Sequence, residues 1–111
     1  MAFSVKVQLD TARLVKLGED AQRKAESILD AAAIRIQARA IQNTVRVDTG
    51  AMKNGWRVEN TGPFQRTIYN TQEYAIYNEL GTVKMAATPM LVPAVEEERE
   101  KLAAEWGGLF E

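Results

Sequence analysis

The first residues of the chain alternate strictly between apolar and polar side chains. Apolar residues occupy the odd positions from Phe3 to Leu9, and polar residues occupy the even positions between them. A period of two is typical of a strand with one buried face. The pattern therefore predicts an N-terminal β-strand over residues 3–9.

The next region has the period of a long helix. Apolar residues recur there at spacings of three and four: Leu14, Leu17, Ala21, Ala25, Ile28, Ala32 and Ile36. This stripe predicts a helix that ends near Asn43. Gly18 falls inside the pattern and costs about 1 kcal/mol relative to alanine, so we expect a bend or break there.

A second apolar set lies on another side of the same helix: Ala31, Ile34, Ala38 and Ile41. A helix that is apolar on two sides packs between two surfaces. Both surfaces can belong to the chain's own core, which is the simpler expectation. The alternative is that one surface belongs to a neighbouring subunit.

A turn and a hairpin follow this helix. Asp48, Thr49 and Gly50 are expected to form a structural turn, because aspartate bonds to nearby backbone N–H groups and glycine permits positive φ. Alternating patterns then predict strands over 52–60 and 65–70, with a turn at 60–63. Trp56 and Tyr69 are expected on the core face of this antiparallel pair.

The C-terminal part predicts helix again. Residues 73–80 fit either a helical stripe or a strand, so we expect either a short helical turn or the entry of a strand there, ended by Gly81. Pro89 is expected in the first turn of the last helix, with Thr88 as its N-cap, and that helix runs to about Glu105. The whole pattern predicts a single α+β domain over 1–111: an N-terminal strand, a long α-helix packed on an antiparallel β-sheet, and a C-terminal α-helix.

Composition excludes several kinds of site. The chain has no cysteine and no histidine, which removes disulfides, thiolate metal sites and the side chain that titrates near neutral pH. A formal net charge of −1 gives no overall attraction to nucleic acid or acidic membranes. No apolar run reaches the roughly 20 residues that span a bilayer, and the start does not resemble a signal peptide. We expect a soluble cytoplasmic product with no membrane association.

The candidate catalytic motifs each have a simpler interpretation. The single Asp48-Thr49-Gly50 lacks the second aspartate that an aspartic protease needs. The acidic run from Glu96 to Glu100 suits a solvated face near a helix N-terminus. No phosphate loop or nucleophile motif occurs. We therefore expect no enzyme, no catalytic residue, no metal and no cofactor.

The segment between residues 81 and 90 is apolar and contains few hydrogen-bonding side chains. Loops run over the surface, and apolar surface segments mark interfaces. Methionine adapts to irregular partner surfaces. The sequence therefore predicts an interface at a set of seven residues: Thr82, Val83, Lys84, Met85, Ala86, Ala87 and Met90. The alternative is that this loop folds back over its own core.

Three motifs in the second half carry a family resemblance. They are Val47-Asp48-Thr49-Gly50-Ala51-Met52-Lys53-Asn54, then the run from Tyr74 to Met85, then Pro89-Met90-Leu91-Val92-Pro93-Ala94. In this order and spacing they resemble the small head–tail joining proteins of long-tailed phages and prophages, also called neck, tail-completion or minor tail components. The chain departs from the pattern at Gly55-Trp56, where the family more often has a small or hydroxyl residue followed by an aliphatic one.

The resemblance implies a structural virion protein rather than a site for chemistry. It implies a ring of copies, often sixfold, around the DNA channel at the head–tail junction or tail end. The implied partners are other copies of the chain, a head-closure or connector protein, and a tail tube or tail terminator protein. Double-stranded DNA would pass through the lumen without sequence-specific binding. The rival interpretation is a small cytoplasmic regulatory or nucleic-acid-binding αβ domain of a toxin-like kind.

Overall fold

The protein is described by a computed structural model that covers residues 4–9, 16, 18–44, 50–72, 75–81, 83, 87 and 89–108. The described elements are β1 (Ser4–Gln8), α1 (Glu19–Asn43), α2 (Gly50–Lys53), β2 (Trp56–Gly62), β3 (Gln65–Asn70), α3 (Ala75–Leu80) and α4 (Leu91–Gly108). This is the predicted α+β architecture, with an N-terminal strand, a long helix, an antiparallel sheet and a C-terminal helix.

The sheet has the strand order β1-β3-β2, and both pairings are antiparallel. The hairpin is confirmed, but β2 begins at Trp56 rather than at Met52. Residues 50–53 form a helical turn instead, in which the Asn54 N–H donates to the Gly50 carbonyl at 3.0 Å. Trp56 is buried as expected. Tyr69 was predicted wrongly, because it lies opposite Arg57 on the outer face and donates its hydroxyl proton to Glu59 at 2.7 Å.

The long helix α1 covers the inner face of the sheet. Its described part begins after Gly18, whose backbone is extended, and ends at Asn43, so the predicted end is confirmed. The part of the predicted stripe at Leu14 and Leu17 lies outside the described residues. Ala33, Ile36 and Ala40 pack into the main core with Trp56 and Ile68. A smaller cluster joins Leu9 of the β1 end to Ala25 and Leu29 of α1. α4 packs alongside α1 and completes the helical layer.

Three of the four residues in the second apolar set of α1 do not enter the core, whereas Ile41 packs against it. Ala31 and Ala38 are exposed, and Ile34 keeps 59% of its surface accessible, while Ile41 is half-buried. The expectation that the chain's own core covers this side is therefore wrong for the first three residues. They face away because the sheet and α4 already occupy the opposite half of the helix.

Arg66 of β3 ties the sheet to α1. Its guanidinium donates to Asp30 at 2.6 Å and also to Glu26, and its side chain is almost completely buried. Burial alone lowers the pKa of Arg66, but the hydrogen bonds to the two carboxylates outweigh it and raise the pKa above its usual value. Both ion pairs of Arg66 are internal, so this arginine does not contribute to a basic surface patch.

The C-terminal end of α3 lies next to the N-terminal end of α4. Residues 75–80, for which the sequence left a helical turn and a strand open, form the helix α3. Gly81 ends it at φ 80°, and its N–H donates to the Tyr77 carbonyl at 2.8 Å. α4 begins at Leu91, so Pro89 precedes the helix by two residues instead of lying in its first turn, and the helix continues past Glu105 to Gly108. The predicted cap at Thr88 lies outside the described residues. None of the described helices is long and apolar enough to cross a membrane.

Candidate interface

The structure separates the predicted interface residues into two groups. Val83 is fully exposed and Ala87 is exposed. Met90 was predicted wrongly as a surface residue: it is 1% exposed and belongs to the main core. Its sulfur accepts a hydrogen bond from the Thr44 hydroxyl at 3.4 Å, and its carbonyl accepts one from Asn43 at 2.9 Å. Thr82, Lys84, Met85 and Ala86 lie outside the described residues.

Glu79 joins α3 to the start of α4. Its carboxylate accepts three backbone N–H bonds, from Met90 at 3.0 Å, Leu91 at 2.9 Å and Val92 at 3.0 Å. The first N–H groups of a helix have no partner within the helix, so a carboxylate at this place both satisfies them and suits the helix dipole. Glu79 is buried. It therefore fixes the two ends of the 81–90 segment relative to each other.

The other face of α3 is apolar and exposed. Ala75 and Glu79 point inward, four residues apart, whereas Tyr77 and Leu80 point outward, and Leu80 is 67% exposed. Val83 follows directly, and Val92 of α4 is also exposed beside the Glu79 bond. We call these four residues, Tyr77, Leu80, Val83 and Val92, the α3–α4 surface. It extends the predicted interface to residues on both flanking helices that the sequence analysis did not name.

The predicted turn before α2 is described only in part. Asp48 and Thr49 lie outside the described residues. Gly50 is the first residue of α2 and does not have positive φ, so the conformational role predicted for it is wrong. Space around Gly50 is open, with no heavy atom within 4 Å of an added Cβ. Gly50 therefore takes the helical conformation of α2 rather than a left-handed one.

The acidic run on α4 was predicted to be a solvated face, but one of its glutamates is buried. Glu98 is 3% exposed and accepts hydrogen bonds from Arg35 at 2.8 Å and from Arg39 at 2.6 Å. The same two arginines also contact Glu105 and Glu97. Burial raises the pKa of Glu98, but the hydrogen bonds from Arg39 and Arg35 outweigh it and lower the pKa below its usual value. These ion pairs hold α4 in place along α1.

Replacement of Glu98 by glutamine is expected to lower the free energy of unfolding at pH 7 by about 2 kcal/mol, because two arginines lose a charged acceptor. Since the pKa of Glu98 is lowered in the folded state, its stabilisation is present above its unfolded pKa and is lost as pH falls through the folded value. Urea unfolding between pH 7 and about pH 3 should thus show a smaller loss in Glu98→Gln than in the wild type. The exposed control Glu100→Gln should change stability by less than about 0.5 kcal/mol. Equal effects of the two variants would contradict the role given to Glu98.

Within the described part of the chain, no cluster of acidic side chains is placed to hold a metal ion. The features that stand out are instead an exposed apolar surface and the buried carboxylates that fix the helices behind it. Exposed apolar surfaces of this kind are typical of protein–protein interaction sites.

Part of the chain matches the model of a known protein family. Residues 11–81 match the HK97-gp10-like family, whose model is described as "Bacteriophage HK97-gp10, putative tail-component". The chain belongs to this family, and it is therefore a bacteriophage tail component of the virion. Families of this kind are structural and generally not enzymes. No curated protein and no solved structure matches the chain.

Proposed function

We propose that this protein is a structural subunit at the phage head–tail junction or tail end, where copies form a ring around the DNA channel. The observation that carries the proposal is the α3–α4 surface, which leaves four large apolar side chains exposed on a small chain of this family. Exposed apolar clusters of this kind mark protein–protein contacts. The ring would join the connector to the tail tube.

Two unlike apolar surfaces support a ring rather than a twofold dimer. The first is the α3–α4 surface, and the second is the outer face of α1 with Ala31, Ile34 and Ala38. When one surface of a copy meets a different surface of the next copy, the contact is heterologous and closes into a ring if the rotation allows. A twofold dimer would instead need one surface that is complementary to itself.

The remaining partners follow from the same role. The ring would contact a head-closure or connector protein on one side and a tail tube or tail terminator protein on the other. The protein would be made in the host cytoplasm and become part of the virion. A net charge of −1 suits a lumen through which DNA passes without being held. A nucleic-acid-binding module is less well supported, because Trp56 is buried and Arg66 is paired with Glu26 and Asp30.

Leu80→Lys is expected to reduce the yield of joined, infectious particles at least tenfold, because a lysine ammonium loses its hydration in an apolar contact. The isolated chain should keep its melting temperature, since Leu80 is largely exposed and lysine suits a helix C-terminus. The control Leu80→Met keeps the apolar contact and should assemble normally. Complementation of a phage deleted for this gene, with the melting temperature measured by circular dichroism, separates the effect on assembly from an effect on folding.

Opposite charges introduced on the two surfaces test whether these surfaces contact each other. Ile34→Glu alone should also block assembly, and its combination with Leu80→Lys should restore it in part if the α1 outer face of one copy contacts the α3–α4 surface of the next. Normal assembly of both single variants would contradict the proposed ring contact. If the double variant does not recover assembly, each surface contacts a different partner. The proposed contact between the α1 outer face and the α3–α4 surface would then be rejected.

A further inference from the structure

One edge of the sheet carries backbone groups that pair with no described residue. The Leu9 N–H donates to the Phe64 carbonyl at 3.0 Å. This bond shows which residues of β1 direct their backbone groups toward β3 and which direct them away. In an antiparallel ladder alternate residues bond to the partner strand, so Val5 and Val7 bond to β3. The N–H and C=O groups of Lys6 and Gln8 therefore point away from β3. Among the described residues no strand or loop pairs with this edge.

An apolar groove lies beside that edge. It has a volume of about 300 Å³ and runs between β1 and α4, with Val5, Val7, Val95 and Leu102 among its walls. A second depression continues it along α4 to Trp106 and shares Leu102 with the first. The groove is formed between the edge strand β1 and α4, which packs on α1. A fourth strand beside β1 would cover these half-buried side chains.

The rim of the groove is basic. Lys6 and Arg99 line it and are exposed, and neither forms an ion pair with a described residue. Glu98 also lines the groove, but its carboxylate is occupied by Arg35 and Arg39. The uncompensated charge at the rim is therefore positive. A strand that enters the groove would be favoured by carboxylates at its outer positions.

We propose that the free edge of β1 and its groove bind an extended segment of another tail protein as a fourth strand. Backbone bonds to Lys6 and Gln8 give the affinity, apolar side chains fill the groove, and carboxylates pair with Lys6 and Arg99. The described strands of this chain are already paired within its own sheet, so none of them is available as the fourth strand. The identity of the donor as another tail protein rests on the proposed function.

Zero-length carbodiimide cross-linking of purified tailed particles tests the proposal, since it joins a lysine amine directly to a carboxylate in contact with it. Mass spectrometry should find Lys6 joined to an aspartate or glutamate of a different virion protein, and Lys24 on the exposed side of α1 should not be joined to that peptide. Amide hydrogen exchange should show Lys6 and Gln8 at least 100-fold slower in the particle than in the free chain. Lys6→Arg should lose the adduct and still assemble.

Lys6→Pro gives an independent test, because it removes an N–H that faces away from β3 and leaves the pairing with β3 intact. It should reduce joined particles at least tenfold, with the free chain still folded by circular dichroism. An adduct between Lys6 and a carboxylate of this same chain would overturn the proposal, and so would the absence of any adduct. The proposal would also be overturned if the amides of Lys6 and Gln8 were already protected from exchange in the free chain. If the chain is present in the particle but these amides exchange as in the free form, only this inference fails. If the chain is absent from the particle, the proposed function fails.

Discussion

Glu79→Ala should lower the free energy of unfolding by about 3 kcal/mol, because it leaves several buried backbone N–H groups without an acceptor. Those groups belong to Met90, Leu91 and Val92, at the start of the helix that α1 packs against. The change should also release the two ends of the 81–90 segment from each other. We therefore expect the variant to be both less stable and defective in joining heads to tails.

The matched control is Glu79→Gln, whose amide oxygen still accepts one or two of these bonds. It should lose about half as much stability as the alanine variant, as measured by urea unfolding monitored by circular dichroism. Glu96→Ala, an exposed glutamate in α4, should change stability by less than about 0.5 kcal/mol. Equal stability of Glu79→Ala and wild type would show that the carboxylate does not cap α4.

Met90→Ser should lower the free energy of unfolding by about 2–5 kcal/mol, because it truncates a buried side chain and leaves a cavity. Met90 packs in the main core beside Ala40 and Trp56, and its sulfur accepts from the Thr44 hydroxyl. The expectation from the sequence was the opposite, since an interface methionine would contribute little to the isolated chain. Thermal unfolding of the purified variant measures the difference directly.

Val83→Ser is the control from the same segment. Val83 is fully exposed, so its replacement should leave the melting temperature nearly unchanged and reduce assembly instead. Met90→Leu conserves volume and should cost less than about 1.5 kcal/mol. A Met90→Ser variant as stable as Val83→Ser would mean that Met90 is not a core residue.

The sequence was sufficient for the elements whose pattern is set by local periodicity. Alternation from Phe3 to Leu9 predicted β1, and the stripe ending at Ile36 predicted α1 with its end near Asn43. In both cases the apolar residues on one face are those that meet the core. The short helix α3 was predicted less clearly, because six residues fit either period.

The sequence was not sufficient where a residue's partner lies far along the chain. Glu98 is 63 residues from Arg35, and their pairing depends on how α4 lies along α1. The spacing of Arg35 and Arg39, four residues apart on one side of a long helix, was the available signal for a carboxylate partner. Met90 was assigned to the surface because its neighbours form a loop. In the structure it accepts hydrogen bonds from Thr44 and Asn43 and donates its N–H to Glu79, and these bonds hold it in the core.

The turn before α2 shows a different limit. Glycine in Asp48-Thr49-Gly50 suggested a backbone with positive φ, yet glycine is also accepted at the first position of a helix. Here the helical bond from the Asn54 N–H to the Gly50 carbonyl decides the conformation. The strand that was predicted to begin at Met52 starts at Trp56 for the same reason.

Family membership and the exposed α3–α4 surface together lead to one central claim, that copies of this chain close into a ring in the virion through that surface. Cryo-electron microscopy of intact tailed particles tests it most directly. The account predicts several copies in a closed ring around the axis at the head–tail junction or tail end, with Tyr77, Leu80, Val83 and Val92 of each copy covered by the next. One or two copies per particle, or a ring in which these four side chains face solvent, would contradict it.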